Sequence, residues 1–142
     1  MSNLDALVLN FFGEDARLRH IGVAVRSIDE AAPGALKQLD PLQNVRVAFI
    51  ELNGVPCELV EPVDERSPVN GYLEHRKMNL YHLCFEVPDL ERAVKQARQQ
   101  GFHALGKPKP AVAFEGRRIA WVFSPTLGLF ELLERELPPQ TA

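Results

Sequence analysis

The sequence is poor in cysteine, and it has no long apolar run. Cys57 and Cys84 are the two cysteines among 142 residues, and each lies in a segment that reads as a strand, so a disulfide framework is not indicated. No apolar stretch approaches the roughly 18 residues that a membrane span needs. The N-terminus lacks a basic start and carries Asp5, Glu14 and Asp15, which is atypical of a signal peptide. These absences predict a cytoplasmic protein with two buried, reduced cysteines.

The charges are nearly balanced and are not gathered in blocks. There are 16 Lys and Arg against 19 Asp and Glu, for a net charge of −3, so the basic patch that binds nucleic acid is missing. With 46% hydrophobic residues, a chain of this length can bury a core as one domain. We therefore predict a globular domain whose partner is a small molecule rather than a nucleic acid or a membrane.

The chain contains two copies of one pattern. Segment 19–31 matches segment 81–93 at an offset of 62 residues, with His, Val and Ala identical and several close substitutes. Each copy predicts a strand that leads into a helix, with Ser27 and Asp89 as N-caps and Gly101 as the end of the second helix.

A hairpin completes each copy. Segment 45–61 carries Asn-Gly at its centre, which is typical of a two-residue turn between strands, and segment 117–134 is its counterpart with a longer turn. A further strand is hard to see in the first half, whereas residues 102–105 predict it in the second. The sequence thus predicts an α+β fold in which two βαβββ modules form a curved mixed sheet, shaped as a cup.

Two segments lie outside the repeat. The N-terminal extension, residues 1–18, is predicted to be an amphipathic helix because four apolar residues follow helical spacing. These are Leu4, Leu7, Val8 and Phe11. The single domain then spans 19–142, with a first half at 19–62, a linker at 63–79 and a second half at 80–136. Within the linker, Ser-Pro at 67–68 is a typical start of a short helix.

Four potential metal ligands occupy equivalent places in the two halves. His20 and His82 begin the first strand of each half, and Glu58 and Glu131 lie in the last strand of each. Because strand side chains alternate between faces, His20 shares its face with small residues such as Gly22, which leaves room for a metal and a substrate. A buried, unpaired carboxylate costs several kcal/mol, so each glutamate needs a cation nearby.

The chemistry of this set indicates a catalytic ion. Two imidazoles and two carboxylates without thiolate suit a divalent metal with open water positions better than a closed structural zinc site. The set does not choose among Zn, Ni, Co, Mn and Fe. His75 and His103 lie outside the repeat pattern and are interpreted as surface or edge residues. Basic residues that could reach coenzyme phosphates are interpreted as solvated: Arg76, Lys77, Lys107, Lys109, Arg117 and Arg118.

These residues resemble the vicinal oxygen chelate superfamily, which includes glyoxalase I, methylmalonyl-CoA epimerase, extradiol dioxygenases and bleomycin-resistance proteins. The resemblance runs from about 19 to 134, and within it the methylmalonyl-CoA epimerase family looks the most similar. The matching blocks lie at 20–25, 47–52, 58–62, 67–74, 82–87 and 130–132. The resemblance implies one divalent metal held by His20, Glu58, His82 and Glu131 in a homodimeric, metal-dependent enzyme. It further implies that the enzyme enolises a small acyl thioester or related carbonyl substrate, with Glu131 or Glu58 as the catalytic base.

The chain departs from the epimerase pattern at residue 42. Residues 41–45 read Pro-Leu-Gln-Asn-Val, whereas the epimerases carry an acid/base glutamate in place of Leu42. Leucine cannot transfer a proton, which leaves the second face of a planar intermediate to Glu58, Glu131 or water. Two alternatives stay open: a lyase of the lactoylglutathione lyase (glyoxalase I) type, for which one mobile glutamate suffices, and a non-catalytic small-molecule-binding protein of the bleomycin-resistance type. Retention of all four ligands favours an enzyme.

Overall fold

The two halves of the repeat build one mixed sheet. The computed structural model describes residues 6–76 and 79–136. The strands are β1 Arg17–Ala24, β2 Gln38–Asp40, β3 Val45–Leu52, β4 Val55–Pro62, β5 Leu80–Val87, β6 His103–Ala104, β7 Lys109–Pro110, β8 Arg118–Ser124 and β9 Gly128–Glu134. The helices are α1 Ile28–Ala31, α2 Pro68–Arg76, α3 Leu90–Gln99 and a 3₁₀ turn at Val112–Phe114. None of the helices in these ranges is long and apolar enough to cross a membrane.

The strand order shows the duplication directly. It is β2-β3-β4-β1-β5-β9-β8-β6, with β7 paired to β8. In the first half β1 is parallel to β4, and in the second half β5 is parallel to β9. The antiparallel pair β1–β5 joins the halves at the centre of the sheet. This arrangement confirms the predicted α+β fold of two βαβββ modules.

Local sequence signals account for the turns and for the longer helix of the second half. Asn53 and Gly54 have φ of +49° and +86°, the left-handed values that a tight hairpin turn requires. The Asp89 carboxylate accepts a hydrogen bond of 3.1 Å from the backbone N–H of Arg92 and so caps α3. Gly101, at φ +94°, directs the chain away from the helix end. The predicted hairpin, cap and stop are thus present.

The Asp89 cap should contribute measurably to stability. Replacing Asp89 with alanine removes both the hydrogen-bond acceptor and a negative charge at the helix N-terminus, at a cost of about 1 kcal/mol. Asp89→Asn keeps the acceptor and should retain most of that stability. Chemical denaturation of the three proteins measures the difference, and an alanine variant as stable as the asparagine variant would contradict the capping role.

The N-terminal extension differs from the prediction. Residues 6–16 form no helix, and residues 1–5 lie outside the described residues. Phe12 is buried against Phe102 and other aromatic side chains of the second half, and Gly13 turns the chain at φ +99°. Because a short isolated helix is marginal in water, this aromatic contact decides the path of the segment.

The first half also differs from the second in its helix. α1 is a single turn, although Ser27 caps it as predicted by accepting from the Glu30 N–H at 3.2 Å. Pro33 lies two residues after the end of this turn. A proline disfavours helical dihedrals in the residue that precedes it, so the helix ends here. The chain continues instead to the three-residue strand β2, which the sequence pattern had not revealed.

The two faces of the sheet have different coverings. α3 packs on one face, where Phe102, Val122 and Leu132 form part of its core. On the other face, α2 covers one end and the 3₁₀ turn covers the other. Strand alternation directs Glu131 away from α3, into the space between these two coverings.

Candidate metal centre

The two histidines meet because β1 and β5 lie side by side and antiparallel. In that pair, Cys84 stands opposite His20, and Gly22 stands opposite His82. Both imidazoles therefore point to the same face of the sheet. The His82 ring covers Gly22 so closely that a Cβ added at Gly22 would lie 2.1 Å from the ring Cε1. The missing side chain of Gly22 is what gives the ring its place.

The two glutamates flank this strand pair. Glu58 on β4 stands opposite Gly22 in the parallel ladder of the first half. Glu131 on β9 stands opposite Cys84 in the equivalent ladder of the second half. Each half thus contributes one imidazole and one carboxylate to the four central strands, as the repeat predicted.

The ligand atoms of the four residues all lie within 4.8 Å of one another. The Nε2 atoms of His20 and His82 are 3.1 Å apart. Glu131 Oε1 lies 3.2 and 3.3 Å from these nitrogens, and Glu58 Oε1 lies 3.7 and 3.6 Å from them. Atoms that share one ion at about 2.0 to 2.2 Å stand about 3 to 3.5 Å apart, so the arrangement fits a single divalent cation.

Buried polar atoms in this cluster lack partners. The exposed fractions of the four residues are between 1% and 5%. In the part of the chain that the structure describes, Glu131 Oε1 and the Nδ1 atoms of both histidines have no hydrogen-bond partner. A carboxylate in such a place needs a compensating positive charge. A cation bound between the two Nε2 atoms and the carboxylates would supply it.

The two carboxylates differ in their electrostatics. Burial, followed by repulsion from Glu131, raises the pKa of Glu58 from 4.5 to about 8. Burial also opposes ionisation of Glu131, but the interactions with His20 and His82 outweigh it and lower the pKa of Glu131. Without a cation, Glu58 is therefore the carboxylate that keeps a proton at neutral pH, and Glu131 is the ionised one.

This difference predicts a pH effect in the metal-free protein. Glu58 keeps its proton in the folded state up to about pH 8 but loses it near pH 4.5 in the unfolded chain. Unfolding therefore releases a proton in this window, and the contribution of Glu58 to stability falls as the pH rises, by at most about 1.4 kcal/mol per pH unit. The glutamine of a Glu58→Gln variant cannot ionise, so the variant does not show this fall in stability.

The measurement is the free energy of unfolding of the variant minus that of the wild type, in chelator. We expect this difference to grow steadily from pH 5 to pH 8. Adding excess divalent metal should make the wild type the more stable of the two proteins, because it keeps all four candidate ligands. A difference that stays constant with pH would contradict the raised pKa of Glu58.

A cavity of about 390 Å³ lies on the ligand face. Its floor, defined as the lining residues on the sheet, includes Glu58, His82 and Glu131 among apolar strand residues such as Val60 and Ile119. Its rim, formed by loops and short edge elements, includes Leu42, Gln43, Asn44, Arg66, Lys107 and Lys109. The candidate ligands thus face a mostly apolar space of the size of a small-molecule site.

Hydrogen bonds fix the β2–β3 turn at the rim. Trp121 Nε1 donates to Gln43 Oε1 at 3.1 Å, and Gln43 Nε2 donates to Asp40 Oδ2 at 2.8 Å. Asp40 Oδ1 accepts from the backbone N–H of Leu42 at 3.1 Å. The Trp121 ring also packs edge-on against His82, with centroids 4.8 Å apart. The sequence did not predict this bridge, because no local pattern links residues 78 positions apart.

The other described candidates lie where the sequence indicated, except for two lysines. His75 is on α2 and His103 is on β6, and neither belongs to the cluster. Arg118 forms ion pairs with Glu91 at 2.6 Å and with Glu134 at 2.8 Å. Lys107 and its neighbour Lys109 line the cavity, whereas they had been interpreted only as solvated. Lys77 and the side chain of Arg76 lie outside the described residues.

Two aromatic residues and the two cysteines complete the surroundings of the cluster. Trp121 lines the cavity, and Phe49 packs edge-on against His20 with ring centroids 5.5 Å apart. Cys57 and Cys84 are buried and free, as predicted.

A sheet of two βαβββ modules with two histidines and two glutamates at its centre defines a class of protein. The sequence matches the model of the Glyoxalase/Bleomycin resistance protein/Dioxygenase superfamily over residues 19–121. The chain belongs to this superfamily. The resemblance stated from the sequence is therefore confirmed at the level of the superfamily.

Individual relatives include epimerases. Ethylmalonyl-CoA/methylmalonyl-CoA epimerase of Cereibacter sphaeroides is 31% identical over 116 residues, which cover 75% of this chain and 87% of that protein. A hypothetical protein from Bacillus halodurans has a similar structure, with a TM-score of 0.75 and 26% identity, covering 90% of this chain and 100% of that one. A variant of Streptomyces coelicolor methylmalonyl-CoA epimerase, in complex with 2-nitronate-propionyl-CoA, gives a TM-score of 0.66 at 26% identity, covering 83% and 96%. These likenesses agree with the predicted fold and with the predicted epimerase family.

Proposed function

We propose that this chain is a metal-dependent enzyme that removes the proton next to the carbonyl of a small acyl thioester or related compound. Among its relatives, its chemistry is most like that of methylmalonyl-CoA epimerase. The observation that carries the proposal is the buried cluster of two histidines and two glutamates, three of which lie in the floor of an apolar cavity. It combines a cation site, ionisable carboxylates and space for a substrate, which enolisation needs.

The four residues of the cluster would hold one divalent ion through His20 and His82 Nε2 and one oxygen each of Glu58 and Glu131. Such an ion, when bound, supplies electrostatic stabilisation for the negative charge that develops on a carbonyl oxygen. The nitrogen and oxygen donor set accommodates Zn, Ni, Co, Mn or Fe. Elemental analysis of protein purified without added metal should find close to one divalent ion per chain.

Glu131 is the stronger candidate for the catalytic base. A base must be ionised, and the two imidazoles 3.2 and 3.3 Å from Glu131 Oε1 lower the pKa of this carboxyl. Glu58 is the alternative base, although burial raises its pKa and favours the protonated form in the metal-free cluster.

The cavity lining favours an anionic acyl compound. The floor is largely apolar and suits a short acyl chain, while Lys107 and Lys109 place two ammonium groups at the rim. In the described parts of the chain, neither lysine takes part in a salt bridge, so both are available to an anionic substrate group. A thioester of coenzyme A has an acyl end and phosphate groups of these kinds. The relative bound to 2-nitronate-propionyl-CoA supports this choice.

The test is deuterium incorporation. The purified protein is incubated with methylmalonyl-CoA in D₂O, and mass spectrometry follows deuterium at the α carbon. We expect incorporation well above the rate without protein, loss of that rate in chelator, and recovery when metal is restored. Turnover confined to methylglyoxal with a thiol would support the lyase alternative instead. Turnover that neither chelator nor Glu131→Gln affects would defeat the proposal.

The homodimer and the cytoplasmic location implied by the sequence stay predictions. Light scattering coupled to size-exclusion chromatography measures the mass in solution, and about twice 15.9 kDa is the expected value.

A further inference from the structure

The cavity carries its carboxylates close together on the floor. Among the described residues that line it, Glu58 and Glu131 are the carboxylates, while Tyr81 adds a phenol that is protonated at neutral pH. Groups that exchange protons with opposite faces of one carbon stand on either side of it, each about 3 to 3.5 Å away, and so about 6 to 7 Å apart. Glu58 and Glu131 both approach the cavity from its floor, and the oxygens that they offer to a shared cation lie within 4.8 Å of each other. With those oxygens turned to the cation, both carboxylates are on the same side of such a carbon.

The described rim residues supply no second base at neutral pH. Leu42 lines the cavity with a hydrocarbon side chain, from a turn that hydrogen bonds hold in place. Lys107 and Lys109 are exposed, and an ammonium group has no lone pair with which to take up a proton. Arg66 pairs with Asp64 at 2.8 Å, and arginine stays protonated in proteins.

We infer that this site exchanges the α proton of an acyl thioester on one face of the carbon only, so that the substrate keeps its configuration. The inference rests on the proposed function. In the forward step the C–H bond breaks, a floor carboxylate takes the proton, and the bonding electrons move into the carbonyl group. In the reverse step the same carboxylate returns a proton to the same face. No oxidant or reductant takes part.

Solvent hydrogen enters between the two steps. Once the carboxylate holds the proton, exchange with water replaces it, and the carbon then receives solvent hydrogen without inversion. Epimerisation in both directions would need a group on the opposite face that can both give and take a proton, and the hydrocarbon side chain of Leu42 in the rim can do neither. Exchange and inversion are therefore separable in this protein, whereas an acid/base group on each side would couple them.

The test follows each enantiomer of methylmalonyl-CoA separately with the wild-type protein in D₂O. Mass spectrometry measures deuterium at the α carbon and chiral chromatography measures inversion, both corrected for the rates without protein. We expect one enantiomer to gain deuterium at least 100 times faster than it inverts, in order-of-magnitude terms. Inversion at the rate of exchange would overturn the inference and leave the enolising function supported. Absence of exchange from both enantiomers would overturn both.

A substitution at the rim provides the second arm. Leu42→Glu places a carboxylate at the rim position, and we expect it to raise the ratio of inversion to exchange at least about tenfold. Leu42→Gln is the matched control, because glutamine has nearly the same shape as glutamate but its amide is not a base. Thermal denaturation verifies that both variants are folded. A folded Leu42→Glu protein that exchanges deuterium with no higher ratio than Leu42→Gln would overturn the assignment of the second face to the rim.

Discussion

Replacing Glu131 with glutamine should lower the rate of α-proton exchange by about 10³-fold or more while the protein stays folded. Glutamine keeps the shape of the side chain, but an amide is not a base, and a positioned base contributes about 10² to 10⁴ in rate. The substitution also removes one of two negative charges in the cluster, so the affinity for a divalent ion should fall. The lower exchange rate and the lower metal affinity would both follow from replacing one carboxylate, whose Oε1 lies 3.2 Å from His20 Nε2.

The measurements are the exchange rate at saturating metal, the bound metal per chain and the thermal unfolding curve. Glu134→Gln is the matched control, since Glu134 lies on the same strand and pairs with Arg118 at 2.8 Å. It should change the exchange rate less than about twofold. A Glu131→Gln protein within tenfold of the wild-type rate would show that another group removes the proton.

Gly22→Ala should abolish tight metal binding. The added Cβ would lie 2.1 Å from His82 Cε1 and 2.2 Å from Nδ1, far inside van der Waals contact. β1 and β5 are at the centre of the sheet, so the ring must move, and a displacement of about 1 Å takes a nitrogen out of a bond of about 2.0 to 2.1 Å. We expect metal affinity to fall about 100-fold or more, and overpacking to lower the free energy of unfolding by about 1 to 3 kcal/mol.

Competition with a chromophoric chelator measures the affinity, and denaturation in chelator measures the stability without metal. Gly71→Ala is the matched control, because a Cβ at that position in α2 has its nearest neighbour at 3.9 Å. It should leave the affinity unchanged and stabilise the helix by up to about 1 kcal/mol. A Gly22→Ala protein that binds metal as tightly as the wild type would show that His82 is not a ligand.

The repeat explains why the clustering of the four residues could be predicted from the sequence. Equivalent positions in two copies lie in equivalent places on the sheet, and strand alternation fixes the face of each side chain. His20 and His82 were therefore assigned to one cavity without knowledge of the strand register. The hairpins and the N-caps at Ser27 and Asp89 were also predicted, because their signals lie within a few residues of each other.

The features that the sequence did not reveal depend on contacts between distant segments. The single turn of α1 and the course of residues 6–16 follow from packing and from Pro33, which outweigh helical periodicity. The bond between Gln43 and Trp121 links different halves of the chain. The close approach of His82 to Gly22 depends on the register of β1 against β5, and in the sequence Gly22 appears only as a small residue in a strand.

The division of the four candidate ligands between the halves would couple metal binding to assembly of the fold. One imidazole and one carboxylate come from each module, so a module separated from its partner could offer an ion half of its coordination. Tight binding then requires that β1 and β5 be joined, and by mass action an ion at 1,000 times its Kd would favour the joined state by about 4 kcal/mol. In this protein the cation would act as a reversible cross-link between the two repeats. Its free concentration would then determine the stability of the joined state.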